Sequence, residues 1–188
     1  MSSSLEKRIL ISPIGSQDEE VLLLISTAVQ TFFGCETGIL PVLDNIDFAI
    51  DFKRNQYHST VILDRLSELA PRDTLKILAV TGFDLFIPIF TYVFGEAQLG
   101  GKACIISTHR LSRDLPSMEW EEGFKKRAVK EALHELGHTF KLTHCKEKHC
   151  IMRYSRSIED VDNKSREFCR YCRQLLDDEM GAVEAFKS

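Results

Sequence analysis

The chain alternates short apolar runs with longer stretches of helical periodicity. Residues 8–15, RILISPIG, are an apolar run closed by Pro13 and Gly15, which predicts a strand. In 17–33 an acidic first turn precedes apolar residues at helical spacing. Gly34 then acts as a stop, so a helix is expected. TGILPVL at 37–43 predicts a second strand, and Pro41 confines it to an irregular or edge position. Across 53–70, Val61, Ile62, Leu66 and Leu69 form one stripe that Pro71 ends, predicting a second helix. LKILAVT at 75–81 is the clearest buried strand. IPIFTYVFGEA at 87–97 and ACIIST at 103–108 flank Gly100-Gly101 and predict a hairpin.

After a loop at 110–118, Trp120, Phe124, Ala128, Ala132, Leu136 and Phe140 recur every fourth residue, and Val129 and Leu133 widen the stripe. A long helix over 119–140 follows. The order strand, helix, strand, helix, strand, hairpin predicts an α/β fold. Its mixed, mainly parallel, twisted sheet should carry an antiparallel edge strand. Residues 141–172 break the pattern: they are rich in Lys, Arg, His and Cys and too poor in large apolar residues to form a core. A short helix is expected at 173–186. The chain therefore divides into an α/β part, 1–140, and a small C-terminal part, 141–188, that something other than apolar burial must hold.

Composition narrows the function. The 188 residues carry 24 Lys plus Arg against 28 Asp plus Glu, a net charge of −4. An acidic balance argues against a nucleic-acid partner, although C-x4-C and C-x2-C pairs in a locally basic segment occur in zinc fingers. No apolar run approaches the ~20 residues that cross a bilayer, and the N-terminal stretch lacks a long apolar core. A cytoplasmic monomer with no membrane partner is expected. Cys35 and Cys104 stand alone and read as buried small residues, whereas Cys145, Cys150, Cys169 and Cys172 crowd together. In a cytoplasmic chain such a cluster points to a metal rather than to disulfides.

The long helix ends in HELGH, residues 134–138. His134 and His138, four apart, share one face and can bind one zinc at about 2.0–2.1 Å each. Glu135 is suited to act as general base rather than ligand. His144 can reach the same metal only if the helix stops and the chain turns back. Three histidines then leave a fourth position open, as in a catalytic site.

HELGHTFKLTH resembles the long metzincin signature H-E-x-x-H-x-x-G-x-x-H. The residues that follow narrow the resemblance to the archaemetzincins: Cys145 directly after His144, then Cys150, Met152, Cys169 and Cys172 in that family's spacing. The resemblance implies a zinc metallopeptidase that hydrolyses peptide bonds in peptides or small proteins, with two Zn2+ per chain. His134, His138 and His144 would hold the catalytic zinc, whose bound water Glu135 activates. Cys145, Cys150, Cys169 and Cys172 would hold a structural zinc in a closed tetrahedral site, which would order 141–172. Met152 would be the Met-turn methionine under the metal, and Tyr154 a cleft tyrosine able to stabilise an oxyanion.

One position departs from the pattern: Lys141 stands where the family has Gly. A left-handed backbone there costs a non-Gly residue roughly 1 kcal/mol. Its ammonium either points to solvent or enters the cleft. The departure motivates the alternative reading, a weak or silent zinc protein that captures a peptide or protein partner. Substrate backbone is expected to pair with 91–97 as an edge strand.

Overall fold

The computed structural model describes residues 8–185. A five-stranded sheet is built from β1 (Arg8–Ile14), β2 (Thr37–Ile39), β5 (Thr74–Thr81), β7 (Gly95–Ala97) and β8 (Ala103–Ser107). Its strand order is β2-β1-β5-β8-β7. All pairs are parallel except β7 with β8, so the antiparallel strand lies at the edge as expected. A second, three-stranded sheet joins β3 (Ile50–Asp51), β4 (Gln56–His58) and β6 (Leu85–Phe86).

Central strands buried on both faces read as continuous apolar runs. Alternate side chains of the main sheet enter two cores. Ile9, Ile11, Leu78, Val80, Cys104 and Ile106 pack with α1 (Glu19–Phe33) and α3 (Trp120–Thr139). Leu10, Ile14, Ile77, Ala79, Ala103 and Ile105 pack with α2 (Ser59–Leu69) on the other face. Asp18 caps α1 by accepting from the Glu20 N–H at 2.8 Å, and Gly34 ends it at φ 63°.

Leu142, Cys150, Ile151, Met152, Val161, Cys172 and Leu176 join the α1/α3 core. Contrary to the expectation that apolar burial has no part in holding it, the polar C-terminal segment joins this core through these apolar residues. Two more helices lie in it, α4 (Ile158–Asn163) and α5 (Arg170–Ala185).

Several boundaries differ from the sequence expectation. The strand expected at 37–43 is only Thr37–Ile39, because Pro41 has no N–H and Val42 donates to the Ser12 side chain instead. Residues 53–58 are not helical: they turn through Asn55 at φ 52° and form β4, so α2 begins at Ser59. Its buried stripe is Ile62, Leu63 and Leu66, while Val61 and Leu69 face solvent. The first hairpin arm shortens to Gly95–Ala97. The C-terminal helix starts at Arg170 and takes Cys172 into its first turn; the expected end at Phe186 lies outside the described residues. The unexpected α4 carries a capping box between Ser157 and Asp160.

Candidate active site

The site forms where α3 ends against the edge strand. Ala128, Ala132, Leu133 and Leu136 bury one face of α3 in the core, which fixes the rotation of the helix. The HELGH residues are then set toward the cleft. His134 and Glu135 are nearly buried, and His144 is exposed. The cleft encloses about 950 Å³ and is lined by residues 91–97, by His134, Glu135, His138 and His144, and by Tyr154, Ser155 and Arg156.

After Phe140 the chain turns back through Lys141 at φ 64°. Leu142 N–H donates to Gly137 O at 3.1 Å, and Gly100 N–H donates to His138 O at 2.9 Å. The Lys76 ammonium donates to Thr139 O at 2.6 Å and to Gly101 O at 2.7 Å. These bonds satisfy carbonyls at the helix end and hold the hairpin turn against it. The reversal brings one nitrogen of each of His134, His138 and His144 within 4.8 Å of the others.

Hydrogen bonds set the tautomers. His134 Nδ1 lies 2.8 Å from Ile151 O, and His138 Nδ1 lies 2.6 Å from Leu142 O. A carbonyl only accepts, so each Nδ1 carries the proton. Burial keeps both rings neutral, with His138 lowered to about 4 and His134 held well below its ordinary value. Their Nε2 atoms, 3.2 Å apart, therefore present lone pairs to each other. Two facing lone pairs repel unless a cation lies between them. The donor set thus fits a zinc ion, with His144 as third ligand.

Glu135 lies against β7. A Cβ on Gly95 would fall 2.6 Å from Glu135 Cγ and 2.7 Å from its Oε1. Burial raises the Glu135 carboxyl well above the ordinary carboxylate range. Below the helix, Met152 is fully buried, and its Sδ would lie 2.5 Å from a Cβ at Gly137. Tyr154 lines the cleft with its ring centroid 4.8 Å from that of His144.

The sulfurs of Cys145, Cys150, Cys169 and Cys172 also lie within 4.8 Å of one another. Cys169 Sγ is 3.8 Å from Cys145 Sγ, beyond a disulfide bond. Burial pushes the Cys150 and Cys172 thiols up. Four sulfurs converging this closely fit one tetrahedral metal, which would favour the thiolates. His149 is exposed and stands outside this group.

Of the two positions open to the Lys141 side chain, the structure shows the one outside the cleft. Its ammonium pairs with Glu179 of α5 at 2.8 Å and does not line the cleft, because the left-handed turn directs the side chain toward α5. Cys104 is buried as expected, whereas Cys35 is only half-buried. Sequence reasoning did not single out Gly95 or Glu131, both of which line the cleft. Glu131 lies one turn before Glu135 on the same helix, a spacing that could have drawn attention to it.

The long helix thus carries His134, Glu135 and His138 to the cleft, and the chain's return beyond it brings in His144. Residues 19–178 match peptidase family M54. The archaemetzincin of Methanocaldococcus jannaschii is 39% identical over 173 residues, covering 91% of this chain and 93% of that one. The crystal structure of the archaemetzincin from Archaeoglobus fulgidus, complexed with malonate, aligns with TM-score 0.77 at 34% identity. It covers 89% of this chain and 99% of that one. The Methanopyrus kandleri archaemetzincin structure aligns with TM-score 0.82 at 27% identity, over 96% and 98% of the two chains. The chain belongs to peptidase family M54. This family membership does not favour the reading as a silent capture protein.

Proposed function

We propose that this peptidase cuts an extended peptide, or a flexible segment of a small protein, laid along β7, with Glu135 as its general base. His134, His138 and His144 would hold a catalytic zinc, and Cys145, Cys150, Cys169 and Cys172 a second, structural one. When bound, the catalytic zinc supplies Lewis acidity toward a water and toward the substrate carbonyl.

The chain's own residues do the rest. Phe94 O accepts from Ser107 N–H, and Gln98 N–H donates to Ala103 O. Alternate main-chain groups of β7 therefore face β8, and those of Gly95 and Ala97 face the open edge. A substrate strand can add there by main-chain hydrogen bonds. Glu135, with its affinity for a proton raised by burial, takes the proton of the attacking water and delivers it to the leaving amine. Met152 would floor the site and Tyr154 would face the developing oxyanion.

The observation that carries this reading is the pair of facing imidazole lone pairs beside Glu135. The net charge of −4 supports a protein that leaves nucleic acid alone. No helix among the described residues is long and apolar enough to cross a membrane. We take the working form to be a cytoplasmic monomer. The test is metal analysis joined to assay. The purified protein should hold two zinc ions, lose peptide cleavage on chelation and regain it with added zinc. Cleavage that survives complete removal of metal would contradict the proposal.

A further inference from the structure

One charged pair, of which Glu131 lines the cleft, has no part in the chemistry above. Glu131 and Lys164 meet at 2.7 Å, and the two residues are only 2% and 1% exposed. Lys164 directly follows α4. Beyond this contact, Glu131 Oε1 and Lys164 Nζ have no hydrogen-bond partner among the described residues. The ammonium keeps unused donors, and the carboxylate keeps unused acceptor capacity. Ser155 lines the same cleft, and its Oγ is likewise buried without a partner.

Docking α4 onto α3 does not require this pair. Arg127 already grips Asp162 through two bonds, at 2.7 and 2.6 Å, and Lys130 donates to Val161 O and Asp162 O at 2.9 Å each. A buried ion pair with unfilled hydrogen-bonding capacity gives less stability than apolar packing of the same volume. Its place is informative: Glu131 is a cleft-lining residue. It sits one turn, about 6 Å along the axis, from Glu135. A side chain next to the scissile bond spans that distance.

We propose that Glu131, held by Lys164, forms with Ser155 the floor of a subsite. This subsite selects a substrate residue beside the cleaved bond that carries a hydrogen-bond donor, either a basic or a carboxamide side chain. Lys164 neutralises and orients the carboxylate, and the free acceptor capacity of Glu131 receives the donor. An aliphatic side chain would leave these groups unpaired, and that is the stronger form of discrimination. The inference rests on the peptidase reading.

The test uses near-isosteric peptide pairs, Lys against norleucine and Gln against Met, at each position flanking the bond. The zinc-loaded wild type should favour the donor member at one position by at least ~10-fold in kcat/KM. The double variant Glu131→Leu/Lys164→Met should lose or invert that preference while still cleaving. If it fails to fold, Glu131→Gln keeps the shape and should erase the preference for Lys while retaining that for Gln. Calorimetric binding of the same peptides to the Glu135→Ala protein should give the same ranking without turnover. Equal rates, an aliphatic preference, or an unchanged preference in the variants would overturn the subsite. A wild type that binds the donor peptides selectively but cleaves none would overturn the peptidase reading instead.

Discussion

His134 Nδ1 and the main-chain oxygen of Ile151 lie 2.8 Å apart, and this contact ties the histidine cluster to the segment that carries the cysteine cluster. Ile151 stands between Cys150 and Met152, and its N–H donates to Glu167 O at 2.8 Å. The carbonyl that sets the His134 tautomer is therefore held by the same segment that the four cysteines gather.

Cys150→Ser should accordingly weaken zinc at the histidine site, although Cys150 is not one of its ligands. Losing the orienting partner of a ligating histidine costs about 10–100-fold in metal affinity. Chelator competition on the variant should show both sites weakened. Full-strength binding by the histidines would mean that the sites are independent.

Gly95→Ala should damage the chemistry and spare the metal. Its Cβ would fall 2.6 Å from Glu135 Cγ and 2.7 Å from the Ile105 carbonyl, so either the carboxylate or the edge strand must move. Displacement of a reacting group by about 1 Å costs on the order of 100-fold in rate. Steady-state kinetics should show most of the loss in kcat, with zinc content at the wild-type level.

Lys141→Gly should be nearly silent. Glycine removes roughly 1 kcal/mol of left-handed strain. It also loses an exposed ion pair with Glu179, of the kind worth about 0–1 kcal/mol. The thermal midpoint should shift by only a few degrees, and kcat/KM should stay within about threefold. A tenfold fall in activity would place the lysine in the cleft after all.

The Glu131–Lys164 pair should also show in stability. Lys164→Met alone strands a buried carboxylate and should cost about 3–5 kcal/mol, whereas adding Glu131→Leu should recover most of that loss. Denaturant titration of the two variants reads the difference directly.

The sequence was most informative where periodicity was long or chemistry dense. α3 was legible from an apolar residue every fourth position, and the three histidines and four cysteines that the fold gathers into two clusters from HELGH, His144 and the cysteine spacing. β1 and β5 announced themselves as apolar runs because both faces are buried. Short elements were hidden. β3 and β4 are two and three residues long, and the turn through Asn55 between them merged with the start of α2. α4 is one short helix whose cue was local, the capping box of Ser157 and Asp160. Contacts made across the fold were not legible at all. The need for a glycine at 95 and the partnership of Glu131 with Lys164 arise only when β7 and α4 are brought against α3.

The most direct test of the account is peptide-library cleavage read by mass spectrometry, comparing wild type with Glu135→Gln at equal zinc content. Gln keeps the size and polarity of the side chain at 135 and removes the carboxylate that accepts the proton. The account predicts cleavage by the wild type and a loss of at least ~100-fold in the variant, with both proteins folded and fully metallated. Equal cleavage by the two proteins would contradict the central claim that Glu135, beside three zinc-binding histidines, drives hydrolysis.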